Sequence, residues 1–331
     1  MSTKLFPVCA LALATLNLFG QSAAKHKPPR TAGGQPDLQG VWTNATVTPF
    51  QRPPELGNKQ FFTPEEADKF ATQRVQQGNS DLIEGPRGAS DLGRRAYNNF
   101  WMDRGTHLYK NMRTSIVIDP PDGRIPPFTP EAKAKYDAFH ARLAAHPSDG
   151  PEDRLLTEQC ILFGASGPPM LPEPYNNNYE IVQTPGFVTI AAEMNHETRV
   201  IPLDGRPHLP ADIREWTGDS RGHWEGDTLV VDTTNFKGSL QSRFGVSYLD
   251  GMSDENLHVV ERFRRVDPET ILYQATVDDP TVYSKPWTVE LSMSRRSGRI
   301  FEYACHEGNY ALMDILAGAR AEEKKAAAPK P

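Results

Sequence analysis

The chain has 331 residues, 38% hydrophobic and 24% charged, enough for a packed core. Its net charge of −6, from 36 Lys and Arg against 42 Asp and Glu, argues against a nucleic-acid binder that works through a basic face. Its 29 prolines disfavour long uninterrupted helices and favour short elements joined by rigid turns.

Residues 1–24 follow the plan of a secretory signal. Lys4 supplies the positive start, Leu5 to Phe19 the apolar stretch, and Gln21-Ser22-Ala23-Ala24 the small residues of a cleavage site. The apolar stretch falls short of the roughly 20 residues a membrane span needs, and no later stretch could span a bilayer. Export to the periplasm or the medium is the expected outcome. Residues 25–36 are polar and proline-containing, and are expected to be a disordered leader. A single β-rich domain is expected over 37–320, opening at Asp37 to Trp42 and carrying an insertion at about 44–110.

Two helices announce themselves by their first residues. Thr63 caps the first, with Pro64 at its first position and Glu65 and Glu66 at the positive end of the dipole; it runs to about Gln77. Thr129-Pro130-Glu131 starts the second, which continues from Lys133 to Ala145. Between and after them come short strand candidates: Arg113 to Ile118, Tyr179 to Val182, Phe187 to Glu193, Arg199 to Leu203, and Leu229 to Asp232 after the Trp224-to-Thr228 turn. Thr184-Pro185-Gly186 reads as a hairpin turn.

The β pattern strengthens toward the C-terminus. Leu257, Val259, Glu261 and Phe263 alternate with His258, Val260, Arg262 and Arg264; Ile271, Tyr273, Ala275 and Val277 with Leu272, Gln274, Thr276 and Asp278; Trp287, Val289, Leu291 and Met293 with Thr288, Glu290, Ser292 and Ser294. A fourth run sets Phe301, Tyr303 and Cys305 against Ile300, Glu302 and Ala304. Period two in successive runs predicts antiparallel strands with one buried face. The chain is therefore expected to be mainly β, an antiparallel meander closing into a barrel, with a C-terminal helix over Asn309 to Glu323 and a disordered tail over 321–331. A sandwich is the alternative.

Within that frame Glu261 is the most informative residue. Alternation places it inward, opposite Ala275 across the turn at 267–270. An ionised carboxylate there must be paired, hydrogen-bonded or neutralised. It could pair with Arg113 or Arg199, or act as a general base or acid. Tyr273, one pair away, could donate to a guest's oxygen or simply pack. His306 follows the last run and could sit at a barrel mouth or merely begin the helix. Arg113, Arg199, Phe263, Trp287 and Tyr303 are the candidate ligand-lining residues. Glu193, His196 and Glu197 cluster at one turn, spaced too loosely to call for a metal. His223, Glu225 and Asp227 read as turn chemistry. Without residues 1–24, Cys160 and Cys305 are the two cysteines left; an oxidising compartment would favour a bridge, and two buried thiols are the alternative. No G-x-G-x-x-G, phosphate loop, H-E-x-x-H or G-x-S-x-G occurs, so no cofactor is expected.

Gly40-Val41-Trp42 at the first strand, the meander and the final helix together resemble the lipocalin-like (calycin) plan. A closer likeness is to a group of uncharacterised secreted bacterial proteins. It is carried by Arg113 to Arg124 (RTSIVIDPPDGR), Gly222 to Phe236 (GHWEGDTLVVDTTNF) and Tyr303 to Tyr310 (YACHEGNY). The likeness implies a family but no activity. The leading expectation is a secreted protein that holds a small amphipathic or apolar molecule in a barrel cavity. The alternatives are a cofactor-free acid–base enzyme (isomerase, lyase or hydratase) using that cavity, and a structural or partner-binding envelope protein whose barrel is filled.

Overall fold

The computed structural model describes residues 27–82, 98–239 and 255–328; the signal segment expected at 1–24 lies outside them. The strands are β1 (Gly40–Thr43), β2 (Val117–Asp119), β3 (Asn178–Thr184), β4 (Phe187–Ala192), β5 (Thr198–Pro202), β6 (Asp219–Glu225), β7 (Thr228–Thr234), β8 (His258–Asp267), β9 (Thr270–Asp278) and β10 (Trp287–Arg296). All belong to one antiparallel sheet in the order β5-β4-β3-β1-β10-β9-β8-β7-β6, with β2 paired beside this path to the start of β10. Sequential neighbours pair, as the meander reading requires: β3–β4, β4–β5, β6–β7 and β8–β9 through short turns, β7–β8 and β9–β10 through longer connections. Only β1 breaks the order, joining the β3–β5 arm to the β6–β10 arm.

The sheet curls until its two edges meet, which leaves it nearly closed into a barrel. At the seam, β5 presents Ile201 to β6, and the residue facing it is Gly222. A methyl there would stand 2.8 Å from the Ile201 side chain and 2.7 Å from that of Leu203. The absent side chain is what lets the edges approach.

The alternation seen in the sequence is the alternation of burial. Val259, Glu261 and Phe263 on β8, Ile271 to Val277 at odd positions on β9, and Trp287 to Met293 at odd positions on β10 are all 0% exposed. Glu261 pairs with Ala275 and Phe263 with Tyr273, the expected register. On β10 even Glu290 and Ser292 are buried, because the chain around β2 covers that face.

The capping signals place α1 (Pro64–Gly78) and α2 (Pro130–Ala145) where the sequence puts them. Thr63 Oγ1 accepts from Glu66 N and the Glu66 carboxylate accepts from Thr63 N, a complete capping box. The final helix, α3 (Tyr310–Ala327), runs on past Glu323 into the stretch expected to be a disordered tail.

Three further expectations need correction. The run at 300–305 is not a strand, and Phe301 is 69% exposed. Its backbone finds side-chain partners instead of a neighbouring strand: Phe301 N donates to Glu193 and Tyr303 N to His196 Nε2. Of the run 113–118, only the end joins the sheet, as β2. Residues 27–36 of the leader are also placed. Arg30 bridges to Pro36, and its guanidinium meets Asp227 at 2.7 Å.

Candidate functional site

A peptide segment, not a cavity, occupies the space beside Glu261. Residues 162–171 are buried throughout and pass against the inner face of the sheet. A buried non-strand backbone needs hydrogen-bond partners, and the barrel's polar side chains supply them. Tyr273 Oη accepts from Met170 N at 2.9 Å and donates to Glu261 Oε1 at 2.9 Å. Tyr179 Oη donates to Ala165 O, and Asn44 Nδ2 reaches both Met170 O and Tyr179 Oη. Glu261 in turn is held by Arg199 in a two-pronged pair, Nη1 to Oε2 at 2.7 Å and Nη2 to Oε1 at 2.9 Å. The two side chains are 3% and 0% exposed.

The electrostatics follow from that closure. Burial alone would lower the Arg199 pKa, but the Glu261 charge and hydrogen bonds raise it on balance. Burial, then the neighbouring Glu261 charge, pushes the Tyr273 phenol well above its ordinary value. Both carboxylate oxygens are engaged and the phenol's donor and acceptor roles are both used.

The other expected site residues are dispersed. Phe263 and Trp287 are fully buried core rings. Arg113 lies on another face, its Nε 3.0 Å from Glu290 and its guanidinium over the Phe61 ring. His306 is exposed in the turn before α3. Tyr303 is half-buried outside the barrel, beside Phe163. Cys160 and Cys305 are bridged, tying the segment before α3 to the chain ahead of the buried insert. Of the expected set, then, Glu261, Tyr273 and Arg199 come together through polar contacts, with the Phe263 ring packed on Tyr273 at 5.0 Å between centroids. Among the described residues, no group of three or more His, Cys, Asp or Glu is disposed to hold a metal ion.

Residues of the 222–236 and 303–310 segments serve the fold. Gly222 allows the seam, Asn235 Nδ2 donates to the carbonyls of Leu209, Pro210 and Ile213, and Asn309 Nδ2 donates to Glu158 O. Asp232 bridges two imidazoles, His208 Nε2 at 2.8 Å and His258 Nε2 at 2.7 Å.

The open site lies where the buried insert leaves the barrel. A cleft of about 590 Å³ is bounded by Thr46 to Phe50, the end of α1, Arg104, Ile116 and the Leu171-to-Pro174 exit strap. Val47, Phe50, Ile116, Leu171, Pro172 and Pro174 give it an apolar side; Thr46, Thr48, Arg74, Arg104 and Glu173 a polar one. Gly105, at φ +73°, allows the 103–107 segment to press on 45–46; a methyl there would stand 2.7 Å from Thr46 N. Asn177, fully buried, fixes the strap, with Nδ2 donating to Asp103 O and Glu173 O and Oδ1 accepting from Glu173 N at 2.7 Å.

Glu173 is the group that sequence reasoning missed. Burial raises its carboxyl from the ordinary 4.5 to about 7, and a single hydrogen bond from Gly164 N, at 3.0 Å, only partly offsets this. The signal was available: one acid flanked by prolines in the otherwise apolar run Pro168 to Pro174.

No protein family, curated protein or solved structure matches the chain.

Proposed function

We propose that the protein binds a small amphipathic molecule, and that it does so in the Glu173 cleft rather than inside the barrel. The observation that carries this reading is the two-sided lining of a cleft whose size suits a small ligand, about 590 Å³. An apolar body would lie against Phe50, Ile116 and Leu171. An acidic or hydroxyl-bearing head would meet the Arg74 and Arg104 guanidiniums and the Glu173 carboxyl. Below neutral pH that carboxyl is protonated and donates a hydrogen bond; above it, its charge opposes an anionic head.

Export by the signal at 1–24 fits a protein that meets such molecules outside the cytoplasm. Among the described residues, no helix is long and apolar enough to cross a membrane.

The test is a titration with decanoate followed by amide NMR. Shifts at Thr48, Leu171 and Glu173, with none at Val259 to Phe263, support the cleft. Shifts confined to the sheet interior, or no saturable change, overturn it.

A second reading rests on Glu173 itself. A carboxyl that titrates near neutrality in an open cleft can act as general acid and base. In a cofactor-free isomerase, lyase or hydratase, Glu173 would then carry the role sought in Glu261. Loss of turnover in Glu173→Gln, with guest affinity retained, would separate catalysis from binding.

A further inference from the structure

Around Trp101 the protein displays a set of aromatic rings that runs from exposed to half-buried, with Tyr175 and Tyr303 packed on the small core of Phe163, Ala165 and Met194. Phe100 is 83%, Trp101 63% and Phe301 69% exposed. Trp101, Tyr175, Asn176 and Tyr303 enclose a recess of about 210 Å³. Tyr175 and Tyr303 face each other nearly parallel, 24° between planes and 6.4 Å between centroids. Isolated exposed rings need no explanation, but a contiguous set around a recess marks an interaction site.

The set is also braced from behind. Phe163, itself buried, meets the Tyr303 ring edge-on at 5.6 Å. The Cys160–Cys305 bridge anchors the chain two residues past Tyr303. Glu193, 3% exposed, is the hub: Oε1 accepts from Asn176 Nδ2 and Asn178 Nδ2, both at 2.9 Å, and Oε2 from Phe301 N at 2.9 Å. Asn176 is held in the left-handed region, φ +55°, with its Nδ2 committed to Glu193; its Oδ1 is the end of the amide left for a guest. One buried carboxylate, one disulfide and one buried ring thus fix a surface on which Tyr175 and Tyr303 are half-buried and Trp101 is exposed.

We infer that this recess is a carbohydrate-binding site that stacks a pyranose ring of a neutral glycan on Trp101, Tyr175 and Tyr303, with Asn176 Oδ1 accepting from a sugar hydroxyl. The residues lining it are three aromatic rings and one amide, with no charged side chain. A sugar ring offers the matching pair of surfaces, a C–H face for the rings and a rim of hydroxyls for the amide. Rigid rings cost little conformational entropy on binding, so a pre-formed aromatic recess suits a ligand that is weakly held per unit. Phe100, edge-on to Trp101 with ring centroids 5.2 Å apart, extends the aromatic surface, as an oligosaccharide longer than one ring would use. The site is separate from the Glu173 cleft, and neither proposal requires the other.

The experiment is calorimetry of the full chain with cellohexaose, chitohexaose and maltohexaose, backed by quenching of tryptophan fluorescence. At least one hexasaccharide should bind saturably. Trp101→Ala, at an exposed position, should weaken it tenfold or more with an unchanged melting temperature, and Phe100→Ala should weaken it less. Glu173→Gln should leave glycan affinity as it was. The inference is overturned if none of the three sugars gives saturable heat at millimolar concentration, or if Trp101→Ala binds like the parent.

Discussion

Replacing Glu173 by Gln removes a carboxyl that burial holds near neutrality. The folded protein holds this carboxyl at about 7, against an ordinary 4.5. Between those values the folded chain keeps a proton that the unfolded chain has released, so stability falls as pH rises through that window. At about 1.4 kcal/mol per pH unit, the full cost reaches roughly 3 kcal/mol once Glu173 is ionised in both states. Glutamine keeps an oxygen for Gly164 N and never ionises. Urea unfolding of both proteins, repeated from about pH 4 to about pH 9, should therefore give curves that nearly coincide at the acid end. They should separate by about 2–3 kcal/mol at the alkaline end, with the variant the more stable. Taking the difference between the two proteins cancels every other titrating group. Curves that run parallel across the range would mean that Glu173 ionises normally and that the cleft does not desolvate it.

Three other outcomes follow from the geometry. Glu261→Gln leaves Arg199 buried without its counter-charge and should cost about 3–5 kcal/mol, whereas Arg199→Leu with Glu261→Leu should recover much of it; equal losses in both would show that the pair is not the cause. Opening the Cys160–Cys305 bridge, by Cys305→Ser with Cys160→Ser, releases a loop with a sequence separation of 145 and should cost up to about 5 kcal/mol on chain entropy alone. Thermal unfolding would read it, and an unchanged midpoint would refute the role given to the bridge. The hydrogen bond between His258 and Asp232 raises the imidazole pKa and lowers that of the carboxylate. Its contribution is complete between the ordinary carboxylate and imidazole values, is lost below as Asp232 protonates, and is lost above as His258 deprotonates. Because both groups are substantially exposed, His258→Gln should cost under about 1 kcal/mol near pH 5.5 and nothing near pH 8.5; a larger loss at the alkaline end would contradict this.

The strands were legible because burial on one face imposes period two, and between β8 and β9 the register followed from the turn at 267–270. The helix starts were legible because a Thr-Pro-Glu cap satisfies local groups that need no tertiary partner. The run at 300–305 shows where that logic stops. Alternation alone does not say whether a backbone will find another strand, and here Glu193, His196 and Cys160 took that place. Glu261 was placed inward on the right register, yet its partner and the insert that closes over it lie 62 and about 95 residues away in sequence. Periodicity carries no information about such a contact. Glu173 stood out locally as one acid among prolines and apolar residues, but the Arg104 and 46–50 segments that share its cleft are far away in sequence.

The claim that the Glu173 cleft holds an amphipathic guest is most directly tested by calorimetric titration of decanoate into the parent and Glu173→Gln proteins, at about pH 6 and about pH 8. The parent should bind tighter at the lower pH by roughly tenfold, because the guest's carboxylate favours the protonated cleft, and the variant should bind alike at both. Equal pH dependence in the two proteins, or no binding to either, would contradict the account.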